Sequence, residues 1–180
     1  MNALYRFIYL RLLGWKARVE VSGYDKCVIC AAPHTSNWDL LFGKLFYGVV
    51  GRKVHFLMKK EWFFFPLGYL FKALGGIPVD RGRNVSLTDQ LAERFARSRT
   101  LHLAITPEAT RKANAEWKRG FYYIALKAQV PILLIGIDYP TKTIACTQSI
   151  MPSGDYDRDI RLIKQYFTRF RGKKPENFAI

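Results

Sequence analysis

A histidine and an aspartate five residues apart, His34 and Asp39, are the side chains of this sequence best suited to acid–base chemistry. A carboxylate that contacts one ring nitrogen of a histidine fixes the tautomer and leaves the other nitrogen as a general base. Positions five apart on a regular helix point about 140° away from each other, so this pairing requires a turn. The spacing alone is weak evidence, and the surrounding elements must support it.

The sequence around this pair predicts a strand, a turn and a helix. The apolar run over residues 28–32 has the pattern of a buried strand, Pro33 ends it, and Ser36 or Asn37 suits the N-cap of a helix. The histidine then lies in the turn. The aspartate lies in the first helical turn, where free N–H groups and the helix dipole favour a negative charge.

Further charged residues follow other predicted strands, namely Lys59, Lys60, Arg81, Glu108 and Arg111. If these strands are parallel, their carboxyl ends lie on one rim of the sheet. A general base that faces several cations suits a phosphate-bearing substrate whose hydroxyl must be deprotonated. The sequence contains no G-x-S-x-G, P-loop or G-x-G-x-x-G motif, so no competing nucleophile or phosphate loop is indicated.

Short apolar runs alternate with helical patterns along the chain, as in α/β domains. Strands are predicted at residues 28–32, 54–58, 76–80, 101–106, 130–138 and 142–150. Helices are predicted at residues 38–49, 117–129 and 157–170, and after a capping box at 86–89. We predict an α/β fold with a central mixed, mostly parallel sheet flanked by helices.

The composition indicates one domain, residues 1–180, with a formal charge of +15 and 49% apolar residues. Such a charge implies an anionic partner: nucleic acid, an anionic membrane surface or phosphorylated substrates. The aromatic share of 15% fits either an interfacial protein that binds lipid or a larger core. A binder of single-stranded nucleic acid needs exposed aromatic platforms, whereas these aromatics lie in apolar runs, so no nucleic acid partner is expected.

Both ends of the chain predict amphipathic helices. Residues 1–18 form a predicted N-terminal helix whose apolar face comprises Leu4, Phe7, Ile8, Leu12 and Trp15. The pattern is neither a signal peptide nor a membrane span, so the helix lies either on a membrane or on the domain. Residues 155–174 form a predicted basic helix that either contacts anionic lipid or is solvated. We expect peripheral association with an anionic membrane, on its cytoplasmic face.

Residues 61–74 are apolar on all sides and too short to span a membrane. They form either plain core or a surface that meets an acyl chain and the bilayer. The candidates for an acyl groove are Trp62, Phe63, Phe64, Phe65 and Tyr69.

Three cysteines, Cys27, Cys30 and Cys146, fit a reducing compartment. The first two form a C-x-x-C spacing, but on a strand they would point to opposite faces. No metal site is therefore predicted.

In order and spacing, these residues resemble the four blocks of the glycerolipid acyltransferases, the lysophosphatidic acid acyltransferase (PlsC-like) family. His34 and Asp39 match the H-x4-D block of that family, and the resemblance spans about residues 31–137. The other matching segments are the Lys-rich segment at 59–61, the second block at 76–81, the P-E-G-T-R block at 107–111 and the fourth block at 130–134.

This resemblance implies an α/β fold, no cofactor, and an acyl thioester donor, acyl-CoA or acyl carrier protein. It implies direct acyl transfer to the hydroxyl of a lysophospholipid such as 1-acylglycerol 3-phosphate, in phospholipid biosynthesis. His34 would be the general base and Asp39 would orient it. The residues that would bind the acceptor's phosphate or other polar head are Lys59, Lys60, Arg81, Glu108, Thr110 and Arg111.

Two positions depart from the family pattern. Ala109 replaces the usual Gly, and Thr106 stands where an aromatic residue usually precedes the Pro. A Cβ at this turn either narrows the space near Arg111 or excludes a positive φ there at little cost. Other acceptors therefore stay open: another lysophospholipid, or an aminolipid acylated on oxygen or nitrogen.

Overall fold

Seven strands form one sheet in this computed structural model, which describes residues 2–79 and 86–180. The strands are β1 (Lys16–Val19), β2 (Lys26–Ala32), β3 (His55–Lys59), β4 (Gly76–Val79), β5 (Leu101–Ile105), β6 (Ile132–Asp138) and β7 (Thr143–Ile150). Their order across the sheet is β1-β7-β6-β2-β5-β3-β4, and all neighbouring pairs are parallel except β6 and β7. The predicted mixed, mostly parallel sheet is confirmed.

Helices cover both faces of this sheet. They are α1 (Asn2–Arg6), which continues as a π-helix over Phe7–Leu12, then α2 (Trp38–Val50), α3 (Leu67–Ala73), α4 (Leu87–Arg97), α5 (Gly120–Ala128) and α6 (Tyr156–Phe167). Short 3₁₀ turns occupy Lys60–Trp62 and Pro175–Asn177. Ser86 accepts a hydrogen bond from the backbone N–H of Asp89, which confirms the N-cap predicted for α4.

Strand β2 is central, and alternation along it sends side chains into two separate cores. Val28, Cys30 and Ala32 pack in the core that contains α4, α5 and α6, whereas Cys27 and Ile29 pack in the core beneath α1 and α2. The two cysteines of the C-x-x-C spacing therefore lie on opposite faces of the sheet, as predicted. Burial raises the pKa of both thiols, that of Cys27 to about 12.

The carboxyl ends of β2, β5, β3 and β4 meet at one rim, because these strands are mutually parallel. Residues 33–39 follow β2, residues 106–111 follow β5, and Lys59 ends β3. The common rim expected from the sequence is therefore present. The turn after β4, which includes Arg81, lies outside the described residues.

The N-terminal helix is shorter than predicted. The helical segment ends at Leu12, and the buried ring of Trp15 stacks on Phe42 at a centroid distance of 4.2 Å. Residues 16–18, predicted as helix, instead belong to the edge strand β1, which pairs with β7 and satisfies the open backbone groups of that strand. Of the predicted apolar face, Leu4, Phe7 and Leu12 are exposed, so this part of the face does not pack on the domain.

The C-terminal helix is likewise shorter than the predicted 155–174. Asp155 caps its start by accepting a hydrogen bond from the backbone N–H of Arg158, and the helix ends at Phe167. Its apolar side is buried through Ile163, Tyr166 and Phe167. The residues after Phe170 leave the helix axis and return to the rim of the sheet.

Candidate active site

The side chain of Asp39 is held by three hydrogen bonds in the first turn of α2. Its Oδ2 accepts from the backbone N–H groups of Thr35 and Ser36, both at 2.8 Å, and its Oδ1 accepts from the hydroxyl of Tyr139 at 2.6 Å. The residue is only 4% exposed. Because both oxygens are engaged, the carboxylate has a single orientation relative to the preceding turn.

His34 lies in that turn and approaches the same carboxylate. Its Nδ1 is 3.2 Å from Oδ2 of Asp39, but the geometry is not aligned for a hydrogen bond, so the two side chains are in close contact without one. Such bonds are often long without a substrate and tighten when one binds. The structure thus brings together the predicted pair, with about a fifth of the imidazole side chain exposed.

Glu108 holds the turn that carries His34 through a hydrogen bond to its backbone. Its Oε1 accepts the backbone N–H of His34 at 2.6 Å, and the whole residue is buried. Its Oε2 has no hydrogen-bond partner in the described part of the chain. Burial raises the pKa of this carboxyl group to about 7, although the hydrogen bond from His34 opposes the shift. The prediction that Glu108 contacts an acceptor headgroup does not fit this position, because the side chain is not accessible.

The loop after β5 also brings Arg111 to the start of α2. Its guanidinium donates a hydrogen bond to the side-chain oxygen of Asn37. Thr110 accepts a hydrogen bond from the backbone N–H of Lys112 at 3.2 Å. Ala109 adopts φ +56, which contradicts the expectation that its Cβ excludes a positive φ. The neighbouring hydrogen bonds hold the loop in this conformation against a cost of about 1–2 kcal/mol.

A cavity of about 670 Å³ extends from His34 and Asp39 along the face of the sheet under α2. Its walls are mainly apolar, with side chains from α2 and from β2, β3, β5 and β6. The lining residues include Ile29, Leu40, Phe46, Val54, Phe56, Ala104, Ile135 and Ile137. Thr106 and Ala109, the two departures from the family pattern, also line it. The volume and apolar character suit a lipid chain.

The predicted acyl-groove residues do not line this cavity. Trp62, Phe64, Phe65 and Tyr69 are exposed, and Phe63 packs against Phe71. Lys59 and Lys60 lie on the expected rim but also outside the cavity lining, and both are exposed. The structure therefore separates the aromatic segment from the space next to His34.

Two residues of the site were not predicted. Tyr139 follows β6 directly, and its ring contacts Trp15 and Phe42 at centroid distances of 5.1 and 6.0 Å. Burial and the hydrogen bond to Asp39 raise its pKa, so the hydroxyl keeps its proton. Lys44 of α2 lines the cavity and donates to the backbone oxygen of Leu74. The signal for Tyr139 was a polar aromatic residue at the carboxyl end of a strand.

Comparisons with known proteins agree with this architecture. The chain matches the family model described as Acyltransferase over residues 18–138. No curated protein matches it significantly. Among solved structures, it is similar to the crystal structure of the 1-acyl-sn-glycerophosphate (LPA) acyltransferase, PlsC, from Thermotoga maritima, with 18% identity and a TM-score of 0.65. The match covers 93% of this chain and 75% of that chain. At this identity, the likeness shows the fold.

Proposed function

Because the chain belongs to the Acyltransferase family and is an acyltransferase, we propose that it acts in lipid metabolism and acylates a lysophospholipid such as 1-acylglycerol 3-phosphate. The acyl donor is a thioester, acyl-CoA or acyl carrier protein. The observation that carries this proposal is the contact between His34 and Asp39 at one end of an apolar cavity. A base beside a space for an acyl chain is what acyl transfer from a thioester to a lipid hydroxyl requires.

In the proposed reaction, Nε2 of His34 takes the proton from the acceptor hydroxyl as its oxygen attacks the thioester carbonyl carbon. The tetrahedral intermediate then collapses, the C–S bond breaks, and the imidazolium returns the proton to the leaving thiolate. The products are an ester and a free thiol. Asp39 orients the ring through Nδ1 and stabilises the imidazolium that forms, and Tyr139 fixes the orientation of Asp39. The acid–base step is typically worth about 10²–10⁴-fold in rate.

Different parts of the substrates are proposed to occupy the cavity and the rim. The cavity under α2 takes an acyl chain, because its walls are apolar and it opens beside His34. The phosphate or other polar head lies on the rim, where the exposed cations are Lys59, Lys60 and Arg111, with Thr110 beside them. Arg81 belongs to the same proposed set on the basis of the sequence alone.

Peripheral binding to an anionic membrane, on its cytoplasmic face, is part of the proposal. None of the helices within residues 2–79 and 86–180 is long and apolar enough to cross a bilayer. Large apolar side chains are nevertheless exposed on α1, on the π-helix that continues it, and around α3, including Leu4, Phe7, Leu12, Trp62, Phe64, Phe65, Tyr69 and Leu70. Together with the charge of +15, these side chains favour an anionic lipid surface.

A second acceptor class, an aminolipid acylated on oxygen or nitrogen, is favoured by Ala109. This residue lines the cavity at a position where the family pattern has glycine, so its methyl group changes the shape of the acceptor's space. Incubating the protein with acyl-CoA or acylated carrier protein and a panel of acceptors, then identifying products by mass, tests both. Faster acylation of lysophosphatidate than of any other acceptor supports the first proposal, and acylation of lipid amines alone supports the second.

A further inference from the structure

The segment after α6, residues 171–174, is attached to the end of β6; we call it the C-terminal strap. The backbone N–H of Arg171 donates to Oδ1 of Asp138 at 2.9 Å. The carbonyl oxygen of Arg171 accepts from the backbone N–H of Tyr139, also at 2.9 Å. These two bonds fix the first residue of the strap directly beside the tyrosine that holds Asp39.

The other end of the strap is attached to the turn that carries His34. The backbone N–H of Lys174 donates to Oγ1 of Thr35 at 3.2 Å. Gly172 is buried against the same turn, and a Cβ there would lie 2.5 Å from Oγ1 of Thr35. Lys173 is therefore held between two attached residues, and its backbone has a defined place above the start of α2.

The side chain of Lys173 lies over the first residue of α2, which follows the cavity-lining Asn37. Its Nζ lies 5.1 Å from the ring centre of Trp38, the first residue of α2. The guanidinium of Arg111 donates a hydrogen bond to the neighbouring residue Asn37, which lines the cavity. Two cations thus flank the first residues of α2. Neither forms an ion pair with a carboxylate among residues 2–79 and 86–180.

We propose that Lys173 and Arg111 form a clamp that binds a phosphate group of a substrate at the mouth of the cavity. The new member is Lys173, which lies outside the residues matched by the family model, 18–138. The clamp rests on the proposed function. Two cations that have no acidic partner in the described part of the chain suit a group with two negative charges. The phosphate belongs either to the acceptor lipid or to the coenzyme A part of the donor.

Binding measurements test the clamp without requiring turnover. Isothermal titration calorimetry with coenzyme A and with a short-chain lysophosphatidate compares the wild type with Lys173→Gln and Lys173→Arg. We expect the glutamine variant to weaken at least one Kd about five- to tenfold, and arginine to restore it. The control Lys53→Gln removes the same charge just before β3, at the opposite rim of the sheet, and should leave both constants unchanged. High salt should reduce the difference.

Kinetics with phosphate-free analogues identify the source of the phosphate. If the acceptor supplies it, Lys173→Gln lowers kcat/KM for lysophosphatidate but not for monoacylglycerol. If the donor supplies it, the loss appears with acyl-CoA but not with an acyl N-acetylcysteamine thioester. Unchanged Kd values in Lys173→Gln, or no binding of either ligand to the wild type, would overturn the clamp. A wild type that binds both ligands but transfers no acyl group would instead overturn the proposed function.

Discussion

At the scale of residues, the hydroxyl of Tyr139 completes the set of hydrogen bonds that orients Asp39. Its 2.6 Å hydrogen bond to Oδ1 engages the oxygen that does not face the preceding turn. Tyr139→Phe removes this bond and leaves a buried carboxylate oxygen without a donor, so we expect kcat to fall about tenfold. Steady-state acyl transfer checks this, and Tyr24→Phe, an exposed tyrosine far from the rim, serves as the control. Equal activity of Tyr139→Phe and the wild type would contradict the role assigned to Tyr139.

Glu108 gives the protein a specific dependence of stability on pH. Its pKa of about 7 lies above the ordinary value of 4.5, so the folded state binds more protons than the unfolded state between these values. The stability from this group is therefore fully present below pH 4.5 and is lost as the pH rises through 7.

Glu108→Gln should remove this dependence while keeping the acceptor for the N–H of His34. Because the wild type loses this contribution as the pH rises and the variant does not, the variant should gain stability relative to the wild type. The difference between their free energies of unfolding should change by at most about 3 kcal/mol as the pH rises through 7. Urea unfolding at pH 5.5 and pH 8.5 measures it, with the exposed Glu176→Gln as control. A difference between variant and wild type that stays constant with pH would refute this account of Glu108.

The conformation of Ala109 leads to a prediction about glycine. Ala109→Gly relieves the cost of φ +56 but adds conformational freedom to the unfolded chain. The free energy of unfolding should therefore rise by between 0 and about 1 kcal/mol. The same substitution in the middle of α4, Ala92→Gly, should destabilise by about 1 kcal/mol. Denaturant unfolding of the two variants provides the comparison, and a loss at position 109 as large as at position 92 would argue against this conformation.

At the scale of elements, the C-terminal strap should be sensitive to a single methyl group. Gly172→Ala places a Cβ within 2.8 Å of two side-chain atoms of Thr35, so the strap or the His34 turn must shift. We expect a lower melting temperature and a loss of activity of about tenfold or more. Gly120→Ala, where a Cβ meets nothing within 4 Å, should lower neither. Matching activities and melting temperatures for the two variants would show that the close approach is not required.

Most elements were predictable because their signals are local. The apolar run before Pro33, the Ser86 cap and the alternation of the two cysteines each depend on neighbouring residues, and the structure confirms all three. The N-terminal helix was predicted too long because residues 16–18 continue its polar pattern. Their actual partner is β7, more than 120 residues away in sequence.

The candidate site was predictable to the same extent. The proximity of His34 and Asp39 followed from one strand-turn-helix segment. The hydrogen bond from Tyr139 joins residues 100 positions apart, and the strap joins residues 139 positions apart. The acyl-groove candidates were chosen for hydrophobicity alone, whereas the cavity wall is formed by α2 and by the face of the sheet beneath it. Such contacts depend on packing between residues that are distant in sequence, and a local sequence pattern cannot predict them.

At the scale of the whole molecule, the two faces of the sheet differ in what they expose. The side covered by α1 and α2 exposes Leu4, Phe7 and Leu12, which pack against nothing that would hide them. Replacing all three with Ser should weaken binding to vesicles of phosphatidylglycerol and phosphatidylcholine roughly tenfold or more, because less apolar surface enters the lipid. Co-sedimentation measures the bound fraction.

The matched control for this surface lies on the other side of the sheet. Met151→Ser combined with Leu162→Ser also removes exposed apolar side chains, but from the region of α6. This variant should bind the vesicles as the wild type does. Equally weakened vesicle binding in both variants would mean that the surface of Leu4, Phe7 and Leu12 is not the one that meets the membrane.

The most direct test of the central claim is the acyl-transfer rate of His34→Ala with an acyl thioester and an acceptor that the wild type uses. The account predicts a loss of about 10²–10⁴-fold with the melting temperature retained, because the general base is removed from the mouth of the cavity. His55→Ala, at the start of β3, should keep its activity. Full activity in a folded His34→Ala variant would contradict the mechanism.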